Sequence, residues 1–414
     1  MALSKIIKLA WRNLWRHKRR TWITVSSIGL GMAFALFLIA LGDGVYKKLI
    51  DQGIRLEAGH VTLEHPDYEK APAVDRYVGP LSSISKACRS ISGVKRIRPI
   101  IRGQAVISTS AGSSGVGVVA GNPEEEKAVS LIPGKIVEGR YIEKGDKRGV
   151  VIGKSLAKRL KLKVGKKLVL TTNDVNGELV NELLRVKGIF KTGIEEADGF
   201  LVQVPLAVGR RIYKLPDDYV TRIGLILDDP KDQDSVMEAV SAALSGKNVA
   251  VLPWQKVLPD LSSYIAVDKG SNIIFQITIL FLIGFTILNT ILMSVMERQR
   301  EFATLLAIGT SPLFLKAQVL VESAFIGLLG CVLGLGIGGS LSYYVEKNGL
   351  DMSSTFSKGT SVAGFTIDPL IRTDLTMGLM LWLGLGVFLG TMVIGLYPAF
   401  KSGKVDIAQT LRMN

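Results

Sequence analysis

The chain has 414 residues, 48% of them hydrophobic, and a formal net charge of +15. Two cysteines and three histidines provide neither a disulfide framework nor a metal-ligand spacing. The positive charge does not single out nucleic acid, because the N-terminal lysines and arginines gather beside an apolar run, where positive-inside bias and anionic cytoplasmic lipid explain them.

Residues 1–20 predict an amphipathic helix lying on a membrane surface. Leu3, Ile6, Ile7, Ala10 and Leu14 recur at helical spacing with Trp11 and Trp15 beside them, and Lys5, Lys8, Arg12, Arg16, Lys18, Arg19 and Arg20 take the other side. The basic stretch and the apolar run after it are too long for a cleavable signal peptide. Four uncharged stretches, Thr21–Gly42, Ser271–Met296, Ser323–Val345 and Leu375–Phe400, each have the length of about 20 residues that crosses a bilayer core. They predict transmembrane helices within residues 21–45, 271–296, 312–345 and 375–400. Basic residues before span one, between spans two and three, and in the tail 401–414 place these segments and both termini in the cytoplasm. A large segment, 46–270, and a small loop, 346–374, then face outward. Span one continues as helix past Asp43 through Ile50, and a helical run from Leu261 enters span two, which predicts a stalk.

The large segment predicts an α+β domain. Gly59–Glu64 alternates like a strand, Leu81–Ile91 reads as a helix and Val94–Ser108 as a strand. Later, Arg222–Leu227, Pro230–Leu244 and Val249–Leu252 read as strand, helix and strand. Two β-α-β halves, 46–111 and 206–258, thus form a split α/β unit around a β-rich insertion, 112–205. Within the insertion, Val116–Ala120, Gly149–Ile152, Lys167–Thr172, Leu184–Phe190 and Gly199–Val204 read as strands and Ser155–Leu162 as a short helix. Gly149–Ser155 resembles a phosphate-binding loop but has three residues between its glycines where four are needed, so strand, turn and helix start is the reading. No nucleophile–base pair or paired carboxylates have catalytic spacing, and the domain reads as a docking domain.

Four charges in five residues, Glu297-Arg298-Gln299-Arg300-Glu301, end the apolar run of span two, and Phe302 to Ile308 lead toward span three. Residues 297–311 predict a short cytoplasmic helix that a cytosolic partner grips. In span three Gly330, Gly334 and Gly338 are four residues apart, as are Gly386 and Gly390 in span four, which predicts close helix packing. Bulky Phe34, Phe37, Leu38, Phe275, Phe281 and Phe285 in spans one and two line an apolar cavity or face lipid. No charged residue sits mid-span to mark an ion path.

The order of basic N-terminus, one span, large outer domain and three spans resembles the MacB/FtsX-type permease superfamily of ABC transporters. Leu9–Arg16 is similar to its N-terminal signature, Glu297–Thr310 to its coupling-helix signature, and Tyr397-Pro398-Ala399-Phe400-Lys401 with Leu411-Arg412 to its C-terminal one. Phe302-Ala303 stands where the family more often has Ile-Gly. Within the superfamily the chain looks most like a lipoprotein-releasing permease of the LolC/LolE kind. The resemblance implies a bacterial inner-membrane subunit without enzymatic activity of its own. ATP and magnesium would bind a separate cytoplasmic ATPase dimer and not this chain. A second permease copy or paralogue, a periplasmic chaperone or other periplasmic protein, membrane lipid and a lipoprotein substrate would be its partners. Glu297, Arg298, Arg300 and Glu301 would meet the ATPase, with Phe302, Leu305 and Leu306 packing against it or the bundle. Phe34, Phe37, Leu38, Phe275, Ile279 and Leu282 would lie along the acyl-chain path. The alternative is a mechanotransmitter that drives a periplasmic partner without moving a substrate.

Overall fold

The computed structural model describes residues 2–57, 59–353, 361, 362, 365, 366 and 370–404. It forms two units: a helical one, Met1–Lys47, Ala266–Met352 and Pro369–Asn414, and an α/β one, Lys48–Ile265 and Ser353–Asp368. In chain order, α1 (Ala2–Arg16) and α2 (Lys18–Glu57) lead to β1 (Val61–Glu64), α3 (Leu81–Arg89), β2 (Val94–Thr109) and β3 (Gly112–Gly121). Then come α4 (Pro123–Val129), β4 (Ile136–Gly139), β5 (Gly149–Gly153), α5 (Lys154–Arg159), β6 (Lys167–Asn173) and β7 (Leu179–Phe190). Next are α6 (Glu195–Phe200), β8 (Leu201–Pro205), α7 (Leu206–Tyr213), β9 (Arg222–Leu227), α8 (Gln233–Ala243) and β10 (Ala250–Pro253). After them follow α9 (Trp254–Val257), α10 (Pro259–Glu297), α11 (Gln299–Ala307), α12 (Pro312–Asn348) and α13 (Met377–Ser402).

In the helical unit, α2, α10, α12 and α13 are long and apolar enough to cross a membrane. The first three have 40, 39 and 37 residues. At 1.5 Å per residue each is about 55–60 Å long, nearly twice a bilayer core of roughly 30 Å. The expected continuation of spans one and two is thus unbroken helix. The glycine row of α12 packs as its spacing predicts. A Cβ on Gly330 would stand 2.5 Å from Ile28, one on Gly334 2.8 Å from Met32, and one on Gly338 2.8 Å from the backbone of Ala33. All three partners lie on α2, so the small residues let two backbones approach closely.

Gly386 and Gly390 depart from that expectation. A Cβ at either would meet nothing within 4 Å. The buried stripe of α13 carries Val387, Thr391 and Gly395, one residue further round the helix, and Gly327 and Ser323 of α12 meet it. A second departure concerns α1. Ile6, Ala10 and Leu14 are buried, and Trp11 stacks edge-to-face on Phe325 of α12 at 5.3 Å. Protein covers Ile6, Ala10 and Leu14, where lipid was expected, while Ile7 and Trp11 are exposed. Leu411 and Arg412 lie outside the described residues.

The α/β unit contains the expected split halves. β1-α3-β2 and β9-α8-β10 interleave in the sheet order β10-β1-β9-β2, every neighbouring pair antiparallel. The insertion is not a separate body, as the boundary at 112 had implied. β2 has 16 residues and serves both parts. Its first half pairs with β9, and from Ile100 on it pairs with β3 and then β6. Pairing of β2-β3-β8-β5-β7-β6 and back to β2 closes a six-stranded barrel. One hydrophobic core, including Ile84, Ile223 and Val240 of the α/β part and Ile107, Val150, Leu170 and Val202 of the barrel, runs through both.

Two buried ion pairs brace this unit. Arg98 and Glu126, each 1% exposed, bond through Nε and Nη2 at 2.6 and 2.9 Å. Gln203 donates to Glu126 at 2.6 Å, and the Tyr141 hydroxyl donates to Gln203 at 2.8 Å. Arg222 bonds Glu64 at 2.6 Å. Glu64 was expected on an alternating strand; all four residues of β1, which lies between β10 and β9, are buried, and Arg222 answers the Glu64 charge.

Candidate functional site

The charged segment after span two folds as a hinge. Arg298, at φ −100° and ψ 14°, interrupts the helix between α10 and α11. Gly309, at φ +94°, turns the chain after α11, a conformation that costs glycine little. Ser311 then caps α12 by accepting from the Phe314 N–H, and Pro312 starts it.

The side chains around the hinge are tied to the N-terminal helices. Arg298 donates to Glu322 of α12 at 3.0 and 3.3 Å and to Glu301 at 3.1 Å, and its guanidinium lies 5.0 Å from the Phe302 ring centre. Asn13 of α1 donates to the same Glu322 at 2.9 Å. Arg16 pairs with Glu301 at 2.7 Å. Arg20 at the start of α2 pairs with Glu297 at 2.6 Å and donates to Ser294 at 2.8 Å. Phe302 and Ala303 are fully buried, with Leu305 and Leu306 partly buried against the same core. Burial works against the Glu301 charge, but the hydrogen bonds from Arg298 and Arg16 outweigh it and hold its carboxyl below the usual value.

Of the four residues expected to meet a cytosolic partner, the structure brings Glu297, Arg298 and Glu301 into an internal network and leaves Arg300 exposed; Phe302, Leu305 and Leu306, expected to pack against that partner or the bundle, pack into the bundle. The sequence reading missed Asn13, Arg16, Arg20 and Glu322 as parts of the site. Charge complementarity was the available signal: a basic N-terminus faces three carboxylates whose positions are 277 to 309 residues away in sequence. It also missed Ile308 and Leu313, 74% and 75% exposed on either side of the Gly309 turn.

A second knot ties α2 to α10 around Tyr46. The Tyr46 hydroxyl of α2 bonds Asp268 and accepts from Asn272, both of α10. Lys47 pairs with Asp374 at 2.8 Å, and the Asp374 N–H donates to the Ala40 carbonyl at 2.8 Å. Between the knots, Gly31 of α2 abuts Ile283 of α10. The helices are therefore joined at the Arg20, Gly31 and Tyr46 levels of α2. On their surfaces Phe34, Phe275 and Leu282 are exposed and Phe37, Leu38 and Ile279 half-buried.

The phosphate-loop lookalike is a strand, β5, running into α5. The Asp198 carbonyl packs against Gly153, leaving no room there for a Cβ.

The model of the MacB-like periplasmic core domain family matches residues 21–243, and that of the FtsX-like permease C-terminal family matches residues 273–406. Over 421 residues the chain is 24% identical to an uncharacterized ABC transporter permease of Methanocaldococcus jannaschii, covering 100% of this chain and 98% of the relative. It is 22% identical over 401 residues to the lipoprotein-releasing system transmembrane protein LolC of Neisseria meningitidis, covering 95% and 94%. The macrolide export ATP-binding/permease protein MacB of Nitrosomonas europaea is 23% identical over 409 residues, 91% of this chain and 57% of that protein.

Proposed function

Because the chain belongs to the ABC transporter permeases that join a MacB-like periplasmic core domain to an FtsX-like permease region, we propose that it couples ATP hydrolysis on a separate cytoplasmic ATPase to lifting lipoproteins from the outer leaflet of a bacterial inner membrane. The hinge carries this reading. In it, α11 is the coupling helix, both termini are cytoplasmic, and ATP and magnesium reside on the ATPase dimer. A push on α11 reaches α1 by the Arg16–Glu301 pair and α10 across the Arg298 break, and α10 passes it to α2 by the Arg20–Glu297 pair. Ile308 and Leu313 supply exposed apolar contacts beside Arg300 for the ATPase. The full-length match to LolC supports the substrate class. Each acyl CH₂ transferred from lipid to water costs about 0.8 kcal/mol, so release needs both work and an apolar path. We place that path between α2 of one permease and α10 of a second copy or paralogue, along Phe34, Phe37, Leu38, Phe275, Ile279 and Leu282, with a periplasmic chaperone receiving the cargo.

Photo-crosslinkers at Phe37 and Ile279 test this. They should trap lipoprotein without ATP, and less when ATP closes the ATPase. Crosslinks to phospholipid alone, unchanged by ATP, would favour a second reading, in which the chain drives a periplasmic partner without moving cargo. The unbroken 40- and 39-residue helices, suited to transmitting motion, and the match to MacB support that reading.

A further inference from the structure

Among the described residues, the first half of β2 has a strand on one side only, and α4 lies against its Arg98 end. Val94–Pro99 pairs with β9 on one side only, since β3 joins from Ile100 and β6 from Val106. The direction of the unpaired groups follows from strand geometry. The Arg102 N–H donates to Thr221 beside β9, and the Leu225 carbonyl of β9 is taken by the His60 N–H on the far side. Backbone groups alternate sides along a strand. Arg96, Arg98 and Ile100 therefore face β9, and Ile97 and Pro99 face outward. Proline at 99 fits, because it has no N–H to leave unpaired at an edge.

A cavity of about 320 Å³ lies along this edge, walled by Arg89 of α3, Lys95, Arg96 and Ile97 of β2, and Glu125 of α4. Arg89, Lys95 and Arg96 are exposed. Lys95 has Asp228 at 3.6 Å. Arg89 and Arg96 have no ion-pair partner among the described residues. Glu125 sits deeper, with a buried Oε2 that no donor reaches. The cleft thus has the outward-facing backbone groups of Ile97 on its wall, cations at its mouth and one buried acceptor within. From these observations we infer that the Val94–Ile97 edge is a docking site for an extended, acidic segment of a protein partner, which adds a strand beside β2. Main-chain bonds to Ile97 would give affinity, Arg89 and Arg96 would select acidic side chains, and Glu125 would accept from a backbone N–H or hydroxyl of the guest. The inference rests on reading the α/β unit as a docking domain, but needs neither ATP nor cargo.

A phage-displayed library of random twelve-residue peptides, panned on the full chain in nanodiscs, tests it without the ATPase. Enriched peptides should be net acidic with β-forming residues at alternate positions. Their binding should fall at least tenfold in Arg89→Glu/Arg96→Glu and in Ile97→Pro, and should be unchanged in Lys127→Glu. N-methylation of alternate peptide residues, which leaves the protein untouched, should also abolish binding in one register only. Failure to enrich peptides, enrichment without acidic bias, or indifference to N-methylation would overturn the inference and leave the cations as guards against edge-to-edge aggregation.

Discussion

Arg298 and Glu322 provide the sharpest energetic test of the hinge. They are 11% and 12% exposed, so each is nearly desolvated and depends on the other. Truncating one partner of such a pair costs about 3–5 kcal/mol because it strands a buried charge, whereas an exposed pair is worth about 0.2–1 kcal/mol. Arg16–Glu301, at 62% and 43% exposed, is of the second kind. For a unit of this size 1 kcal/mol moves Tm by roughly 2–4 °C. Arg298→Ala should therefore lower the Tm of the nanodisc-held protein by roughly 6–20 °C, and Arg16→Ala by no more than about 4 °C. Arg298→Met with Glu322→Leu should recover much of the loss, since no charge is left unanswered. Equal effects of Arg298→Ala and Arg16→Ala, or additive losses in the double variant, would refute the reasoning.

Gly334→Leu should destabilise the protein by about 1–3 kcal/mol through overpacking against Met32, while Gly390→Leu stays within about 0.5 kcal/mol; thermal melts in nanodiscs compare them. Arg98→Ala should cost about 3–5 kcal/mol and expose the α/β unit to protease at temperatures the parent survives. The Glu301 carboxyl is held below its usual value of 4.5, so its stabilisation is complete above that value and lost as pH falls through the lowered one. The Tm difference between the parent and Glu301→Gln should accordingly be flat near neutrality and vanish in acid.

Spans were legible because 22 to 26 uncharged residues in a row have few other uses. The split α/β halves were legible because each of their six elements carries its own local pattern; Arg222–Leu227 is observed with the expected bounds. The barrel closure was not, because it depends on β2 changing partners midway, and strand pairing across 60 or more residues leaves no local signature. α4, α6 and α7, with 7, 6 and 8 residues, are too short to display a helical period among strands. At the hinge, the residue types and the helix were readable. Their partners were not, since Asn13 and Arg16 approach Glu322 and Glu301 only after α1 folds back on the bundle, and Arg20 meets Glu297 only once α2 packs on α10. The Gly386/Gly390 spacing misled because it states which residues share a face, not which face is covered.

Coupling through α11 is tested most directly by Glu301→Lys in proteoliposomes holding the permease, its ATPase and a labelled lipoprotein, with ATP turnover and release measured together. The substitution repels both Arg16 and Arg298, which Glu301 now joins. ATP turnover should persist while release is lost, and adding Arg16→Glu should restore part of it. Release at the parental rate per ATP in Glu301→Lys would contradict the account.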